Sequence, residues 1–205
     1  MKVKKFNDFQ EDPLVSIIVI TYNSSKYVLE TLESAKNQTY PNVELIISDD
    51  CSTDDTVKIC QEWLKINTVI FKKTQLIVTP ENLGIPGNCN RGLKHSEGKW
   101  IKIIAGDDIL LPNCLSSYMD FVKEKKCNFI FSFPEIILEE GNEADRIKKE
   151  NAFQIGNSFF YKRAQSQFLH LLTQGLPMSA STFFFNKEEI QKVGAFDNRF
   201  LHCPL

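Results

Sequence analysis

The sequence predicts an α/β fold built around a mostly parallel central sheet with helices on both faces. Short, uninterrupted apolar runs such as Val15–Ile20 are typical of strands that are buried on both faces. Segments with the apolar spacing of helices follow these runs, so that strand and helix alternate along the chain. Because neighbouring parallel strands need a helical crossover, this alternation predicts a parallel sheet covered by helices on each side.

The first βα unit begins with Val15–Ile20 as its strand, followed by a turn and a helix. Val28, Leu32 and Ala35 recur on one face of this helix, which is the spacing of an amphipathic helix on a core. The helix is expected to end near Pro41, because the residue before a proline disfavours the helical conformation.

The second βα unit begins with the strand Val43–Ser48. Ser52 or Thr53 is expected to cap the helix that follows. Asp54 and Asp55 then fall in its first turn, where the helix dipole favours negative charge. The residues expected on the core face of this helix are Val57, Cys60 and Leu64.

The remaining elements continue the alternation. The loop over residues 79–87, which contains both glycine and proline, indicates unusual backbone angles. A strongly charged stretch over residues 135–150 indicates an exposed connection. The other predicted elements are strands at Leu76–Val78, Trp100–Ile104, Asn128–Phe133 and Ser181–Phe185, and helices through residues 90–93 and at Pro112–Lys125, Arg163–Thr173 and Lys187–Val193.

Composition excludes several classes of protein. The chain has 205 residues, 42% hydrophobic and 24% charged, which predicts one globular domain with a substantial core. A net charge of -2 gives no electrostatic basis for nucleic-acid binding. The first apolar run is too short for a signal peptide or a membrane span, so a cytoplasmic location is expected. The six cysteines and three histidines show no metal-ligand spacing, which argues against a zinc site.

Two pairs of adjacent aspartates are the main indication of chemistry. Asp49-Asp50 follows one predicted strand, and Asp107-Asp108 follows another about sixty residues later. In open α/β sheets ligands bind outside the carboxyl ends of the strands, so both pairs are expected at one edge of the sheet. Mg²⁺ or Mn²⁺ is usually held by one or two carboxylates together with substrate phosphates. The alternative is that each pair begins a turn or caps a helix.

Five motifs occur in a fixed order between Pro13 and Phe200. Several linked motifs are far more specific than any one of them. They are Val15-Ser16-Ile17-Ile18-Val19-Ile20-Thr21-Tyr22-Asn23, Asp49-Asp50-x-Ser52-Thr53-Asp54-x-Thr56, Asn82-x-Gly84, Asn90-Arg91-Gly92, and Gly98-Lys99-Trp100 leading to Gly106-Asp107-Asp108-x-x-x-Pro112.

Together these motifs resemble the nucleotide-sugar domain of the family-two inverting glycosyltransferases. The resemblance implies the GT-A fold, a Rossmann-like three-layer sandwich with a mostly parallel central sheet. It also implies a tail over residues 1–12 and a single domain over residues 13–205. The nucleotide-binding part is expected at about 13–112 and the acceptor-side part at about 113–205.

The resemblance implies a site for the donor nucleotide. Tyr22 would pack against the base, and Asp50, with Asp49 beside it, would accept a hydrogen bond from a ring N–H of the base. A carboxylate can accept from an imide N–H such as that of uracil and would reject a base that offers only an acceptor there. The residues implied for nucleotide binding are Thr21, Tyr22, Asn23, Asp49, Asp50, Asn82, Arg91 and Gly106.

Structural alternatives remain for these residues. The two aspartates at 49 and 50 could cap the next turn. Arg91, expected near the nucleotide or its phosphates, could be a solvated helix arginine. Asn82 and Gly84 could be simple turn residues.

The expected cation site departs from the pattern of the family. The family's metal motif is usually Asp-x-Asp, and the corresponding residues here are Ala105-Gly106-Asp107, so the first acid is missing. Asp107 inherits the metal-binding role, and Asp108 is its neighbour. One carboxylate, two phosphates and water can complete a shell around Mg²⁺ or Mn²⁺. The missing acid leaves the ribose contacts unassigned.

Inversion also needs a general base for the acceptor hydroxyl. In the family this acid follows a Gly-x-Phe-Asp segment, which here is Gly194-Ala195-Phe196-Asp197. No acid follows Asp197, so the base is expected beyond Leu205, together with a C-terminal segment that often contacts the acceptor or a membrane.

The sequence therefore predicts a transferase that uses a nucleotide sugar. By resemblance the donor is a UDP-sugar, the cofactor Mn²⁺ or Mg²⁺, and the acceptor a saccharide or a lipid-linked saccharide of a surface polysaccharide. Peripheral association with the cytoplasmic face of a membrane is also expected. The main alternative is a noncatalytic nucleotide-binding or interaction domain, because the base is missing. A receiver-type or nucleotidyl-transferring domain would also place acids at strand ends, but it does not explain the other motifs.

Overall fold

The computed structural model describes residues 12–132, 134, 166 and 180–198. The described residues divide into two compact units, one containing residues 12–130 with 183–198 and the other lying within residues 131–182. Of the predicted helix Arg163–Thr173 only Ser166 is described, and it is helical, whereas the charged connection over residues 135–150 falls outside the described residues. No helix within the described ranges combines the length and the apolarity needed to cross a bilayer.

Six strands and five α-helices make up the described fold, and two short 3₁₀ turns accompany them. The strands are β1 Val15–Thr21, β2 Val43–Asp49, β3 Lys73–Val78, β4 Trp100–Ala105, β5 Phe129–Phe131 and β6 Phe183–Asn186. The helices are α1 Val28–Lys36, α2 Thr56–Asn67, α3 Gly84–His95, α4 Cys114–Lys125 and α5 Lys187–Lys192.

The six strands form one sheet in the order β3-β2-β1-β4-β6-β5. β1 is parallel to both of its neighbours, and β2 is parallel to β3. β6 is antiparallel to β4, so the sheet is mixed but mostly parallel, as the sequence predicts. The pairing register aligns Thr21 with Asp49 and Ile20 with Ala105, and this register fixes which residues meet at the carboxyl edge.

The core lies on both faces of the sheet. All seven residues of β1 are buried, as expected for a central strand. Ile17 and Val19 belong to a cluster that includes apolar side chains of α1, α2 and α4. Ile18 and Ile20, on the opposite face, pack in a second cluster with side chains of α3. The prediction of helices on both faces is therefore confirmed.

Of two local predictions around α2, the cap is wrong and the core face is partly confirmed. Neither Ser52 nor Thr53 caps this helix, because their side chains bond to Asp49 and Asn23 and the helix begins only at Thr56. The Thr56 N–H instead donates to Asp54 Oδ1 at 3.0 Å. Of the predicted core face, Cys60 is fully buried and the partly buried Leu64 packs against the core, whereas Val57 is only half-buried. Thr56 and Trp63 complete the buried face of α2.

The loop before α3 is shorter than the sequence predicts, because α3 already begins at Gly84. Asn82 Oδ1 accepts a hydrogen bond from the Gly84 N–H at 2.9 Å, and Gly84 has a φ of +72°. That left-handed conformation suits glycine. Pro86 lies in the first turn of the helix, where a missing N–H costs little.

Glu44 joins three segments at the amino ends of the strands. Its side chain is fully buried and accepts hydrogen bonds from the Ser16 hydroxyl, from the Glu97 N–H at 2.5 Å and from the Gly98 N–H at 2.7 Å. A Cβ on Gly98 would come within 2.3 Å of Ser16 Oγ, so only glycine permits this close approach. This network fixes the entry of the chain into β4 against β1 and β2.

Replacing Glu44 with alanine is expected to lower the free energy of unfolding by about 2–3 kcal/mol, because the Glu97 N–H and the Ser16 hydroxyl lose their acceptor and the Gly98 N–H keeps only Ser16 Oγ. Urea denaturation followed by circular dichroism measures the loss. Glu62→Ala, an exposed position on α2, is the matched control and should change stability by less than about 0.5 kcal/mol. Equal stability of the two variants would contradict the role of Glu44.

Candidate functional site

Both aspartate pairs lie at the carboxyl edge of the sheet, on the two strands that flank β1. Asp49 ends β2 opposite Thr21, and Gly106 and Asp107 directly follow β4. With neighbouring strands about 4.8 Å apart, the ends of β2 and β4 are separated by about 10 Å. This edge can therefore accommodate a single ligand that contacts both pairs.

The Asp49 carboxylate makes its hydrogen bonds to Thr21 and to the loop that follows β2. The residue is fully buried, and Oδ2 accepts hydrogen bonds from Thr21 Oγ1 at 2.8 Å and from Ser52 Oγ at 2.5 Å. Oδ1 accepts from the Ser52 N–H at 2.9 Å. The arrangement means that Asp49 and Thr21 shape the turn beneath the site rather than present free polar groups to a ligand.

Asp50 is only 2% exposed and lies in an ion pair with Arg91. Arg91 Nη2 donates to Asp50 Oδ1 at 2.9 Å, and the Leu83 N–H lies 3.1 and 3.0 Å from the two carboxylate oxygens. Oδ2 therefore receives a bond only from Leu83 among the described residues and keeps acceptor capacity. Of the two adjacent acids, Asp50 is the one that can still bind a ligand N–H.

Arg91 lies beneath the site and is not a solvated helix residue. Its side chain is 11% exposed, and Nη1 donates to the backbone oxygen of Asp49 at 3.1 Å and to Asn88 Oδ1 at 3.2 Å. The guanidinium thus holds the last residue of β2 and the Asp50 carboxylate together. Within the described structure its contacts are those of a positioning residue for Asp50.

Tyr22 and Asn23 form the loop after β1. Tyr22 is 52% exposed, which leaves ring surface free for a base. Asn23 has a φ of +50°, a conformation that asparagine tolerates better than most residues. Its backbone N–H donates to Ser52 Oγ at 2.8 Å, and its Oδ1 accepts from the Thr53 N–H at 2.8 Å. Asn23 therefore links the two loops of the site.

Gly106 allows a close approach between the loops after β1 and β4. A Cβ at this position would lie 2.8 Å from Ser24 Oγ and 2.9 Å from Thr21 Cγ2. The loop after β4 thus sits directly against the loop after β1. Asn82, by contrast, is exposed, and its side chain bonds locally to Gly84 at the start of α3.

Asp107 and Asp108 differ in the availability of their carboxylates. Asp108 Oδ2 accepts a hydrogen bond from the Ala105 N–H at 2.9 Å, so part of its carboxylate stabilises the turn. Asp107 is exposed, and its carboxylate has no polar partner among the described residues. No group of three or more His, Cys, Asp or Glu residues converges in the described ranges. A divalent cation at Asp107 would complete its shell with phosphate oxygens and water, which is how Mg²⁺ is commonly held.

Asn90 is a functional candidate whose role the sequence analysis missed. Its amide donates to the Phe196 oxygen at 2.7 Å and to Asn198 Oδ1 at 3.1 Å, and its Oδ1 accepts from the Phe196 N–H at 3.0 Å. Asn90 thus anchors the segment in which the sequence analysis places the Gly-x-Phe-Asp motif. The Asn90-Arg91-Gly92 motif pointed to this position, but the sequence alone could not assign a separate role to each of its three residues.

Removing the Arg91 guanidinium is expected to destabilise the fold, since it leaves the buried Asp50 carboxylate unpaired. Arg91→Ala should lower the free energy of unfolding by about 3–5 kcal/mol. The double variant Asp50→Asn with Arg91→Ala should recover part of this loss, because the uncompensated charge is gone. Urea denaturation measures both effects. Lys94→Ala, an exposed cation on the same helix, is the control, and an equal loss there would refute the assignment.

Comparison with known proteins adds the family and the fold. The family model described as Glycosyl transferase family 2 matches residues 16–193. TuaG of Bacillus subtilis, a glycosyltransferase whose name assigns it provisionally to teichuronic acid biosynthesis, is 31% identical over 134 residues, which are 65% of this chain and 52% of TuaG.

Two further proteins are similar. The Escherichia coli protein named UDP-Glc:alpha-D-GlcNAc-diphosphoundecaprenol beta-1,3-glucosyltransferase WfaP is 37% identical over 121 residues, 58% of this chain and 45% of WfaP. The crystal structure of S. aureus TarS residues 1–349 in complex with UDP superposes with a TM-score of 0.68 at 21% identity, over 92% of this chain and 52% of TarS. The likeness to TarS shows a shared fold, and the chain spans about half the length of the curated relatives it matches.

Proposed function

The chain belongs to glycosyl transferase family 2 and has the GT-A fold, and from this premise we propose that it transfers a sugar from a UDP-sugar to a saccharide or lipid-linked acceptor. The observation that most supports this proposal is the position of Asp50. Arg91 and Leu83 hold its buried carboxylate at the sheet edge, and Oδ2 can still accept a further hydrogen bond. The transfer is proposed to invert the anomeric configuration and to serve the synthesis of a surface polysaccharide.

The proposed donor is a UDP-sugar because the site presents an acceptor where uracil presents a donor. Uracil carries an imide N–H, and a positioned carboxylate binds such a group and rejects a base with a bare acceptor there. Tyr22 offers an exposed ring for stacking against the base. TarS binds UDP, and the name of WfaP specifies UDP-Glc, which supports the same choice here.

Asp107 is the proposed ligand of a divalent cation, Mn²⁺ or Mg²⁺. Its exposed carboxylate is a hard oxygen donor at the same edge as Asp50. When bound, such a cation supplies positive charge that stabilises the departing diphosphate. Asp108 stabilises the turn after β4 by accepting a hydrogen bond from the Ala105 N–H.

The acceptor hydroxyl must attack from the face opposite the nucleotide, and a carboxylate base must take its proton. In this proposal the base belongs to the acceptor side, near the segment that Asn90 anchors at Phe196. The acceptor class follows the relatives named for teichuronic acid and for a diphosphoundecaprenol substrate. Such acceptors are consistent with work at the cytoplasmic face of a membrane.

Calorimetric titration of UDP into the purified chain, with and without Mn²⁺, tests the donor site. We expect binding that strengthens with Mn²⁺. Asp50→Asn should weaken UDP binding by about tenfold to a hundredfold, since one hydrogen bond to a charged group is lost. Asp107→Ala should abolish the effect of Mn²⁺ while leaving the weaker metal-free binding in place.

Asp120→Ala, an exposed aspartate on α4, is the matched control and should bind UDP as the unaltered chain does. Thermal unfolding of every variant confirms that the fold is retained. GDP and CDP are titrated in parallel. Equal binding of all three nucleotides, or Mn²⁺ dependence that survives in Asp107→Ala, would refute the corresponding assignment.

A further inference from the structure

The loop after β2 holds the loop after β1 through a set of side-chain hydrogen bonds that we call the Asp54 clamp. It consists of the bonds that residues 52–56 make to the backbone and side chains of residues 23–25. The bond from Thr56 Oγ1 to Asp54 Oδ1 links two of its members. We propose that Asp54 is a positioning residue that fixes Tyr22 in the orientation needed to stack on the donor base. The inference rests on the proposed function, because it assumes that Tyr22 meets a nucleotide.

The first arm of the clamp runs through Asp54 itself. Oδ2 accepts a hydrogen bond from the Ser25 N–H at 3.0 Å. Oδ1 accepts from the Thr56 N–H at 3.0 Å and from Thr56 Oγ1 at 2.5 Å. Thr56 Oγ1 in turn accepts from the Ser24 N–H at 2.8 Å. One carboxylate thus orients two consecutive N–H groups of the facing loop, one directly and one through a fully buried threonine.

The second arm holds Asn23, the residue directly after Tyr22. Its N–H donates to Ser52 Oγ at 2.8 Å, and its Oδ1 accepts from the Thr53 N–H at 2.8 Å. Three consecutive backbone N–H groups, those of residues 23, 24 and 25, therefore donate to side chains of residues 52–56. A left-handed residue such as Asn23 keeps its conformation only while its surroundings hold it there.

Core packing cannot fix the direction of Tyr22, since 52% of its surface is exposed. The orientation of its ring then depends on the backbone that carries it. The clamp fixes that backbone immediately after Tyr22, and the bond between Thr21 and Asp49 fixes it immediately before. Ordering Tyr22 in advance lowers the entropy lost when a base stacks on it.

The chemistry of the clamp requires a carboxylate. Desolvation raises the pKa of Asp54, but the hydrogen bonds from Thr56 and Ser25 outweigh it and bring the pKa to about 2. Asp54 is therefore charged at neutral pH, and its hydrogen bonds are of the stronger, charge-assisted kind. Both oxygens are used, so an amide at this position could keep only one of the two sets of bonds.

The next residue supplies a matched control. Asp55 is also an exposed aspartate in the same loop, directly before α2, but its side chain makes no capping hydrogen bond. Asp55→Ala thus removes the same charge one residue away and leaves the clamp intact.

The first experiment titrates UDP with Mn²⁺ into the unaltered chain and into Asp54→Ala, Asp54→Asn and Asp55→Ala. We expect about three- to tenfold weaker binding for Asp54→Ala, a smaller loss for Asp54→Asn, and none for Asp55→Ala. The same Asp54→Ala change in a Tyr22→Ala background should have no further effect, because Asp54 acts through Tyr22. An unchanged affinity for Asp54→Ala, or an equal loss in both backgrounds, would overturn the inference.

A second readout does not need a ligand. The chain is labelled with 3-fluorotyrosine, and the ¹⁹F resonance of Tyr22 is assigned from its absence in Tyr22→Phe. We expect this resonance to shift and narrow in Asp54→Ala, as the ring gains freedom, and to stay unchanged in Asp55→Ala. Failure of the unaltered chain to bind UDP would refute the proposed function alone. An unchanged Tyr22 resonance in a folded Asp54→Ala chain would refute the clamp.

Discussion

The buried ion pair between Asp50 and Arg91 is the interaction on which the carboxyl edge of the sheet depends. Taking two charges out of water costs several kcal/mol for each ion, and their attraction offsets this only when the remaining polar atoms are also satisfied. Here the Leu83 N–H satisfies the carboxylate, and the Asp49 backbone oxygen with Asn88 satisfies the arginine. The pair can therefore exist only if the end of β2, the start of α3 and the middle of α3 all occupy their native positions.

Four aspartates that look alike in the sequence have different roles at this edge. The carboxylate oxygens of Asp49 and Asp54 accept hydrogen bonds from nearby residues and thereby fix the shape of the edge. Asp50 keeps acceptor capacity on one oxygen, and Asp107 is free of polar partners within the described residues. A ligand at this edge meets a site whose walls are already ordered, which reduces the entropy lost on binding. The acids that shape the loops thus matter as much for binding as the acids that face the ligand.

Much of the fold could be predicted from the sequence, because burial on both faces leaves a continuous apolar run such as that of β1. The sequence also predicted that the two aspartate pairs lie at one edge of the sheet, since parallel strands end at the same side. The different roles of adjacent residues could not be predicted from the sequence. Asp49 and Asp50 have the same chemistry, and only the three-dimensional placement of Ser52 and Arg91 distinguishes them.

The cap of α2 was mispredicted for a related reason. Local propensity assigned caps to Ser52 and Thr53, but tertiary hydrogen bonds with Asn23 recruited both side chains. Tertiary partners that lie about thirty residues away leave no local signal, so rules based on neighbouring residues cannot find them. Asn90 was missed in the same way, because its partners follow more than one hundred residues later.

Three consecutive residues of α3 connect the two sides of the site. Gly92 lets the helix pack against β1, since a Cβ there would come within 2.3 Å of Ile18 Cγ2. Arg91 holds the carboxylate proposed to bind the base, and Asn90 holds the segment around Phe196. Because one rigid turn of helix carries all three contacts, a displacement of α3 cannot move one without the others. The position of α3 on the sheet therefore couples the geometry of the proposed donor site to that of the segment around Phe196.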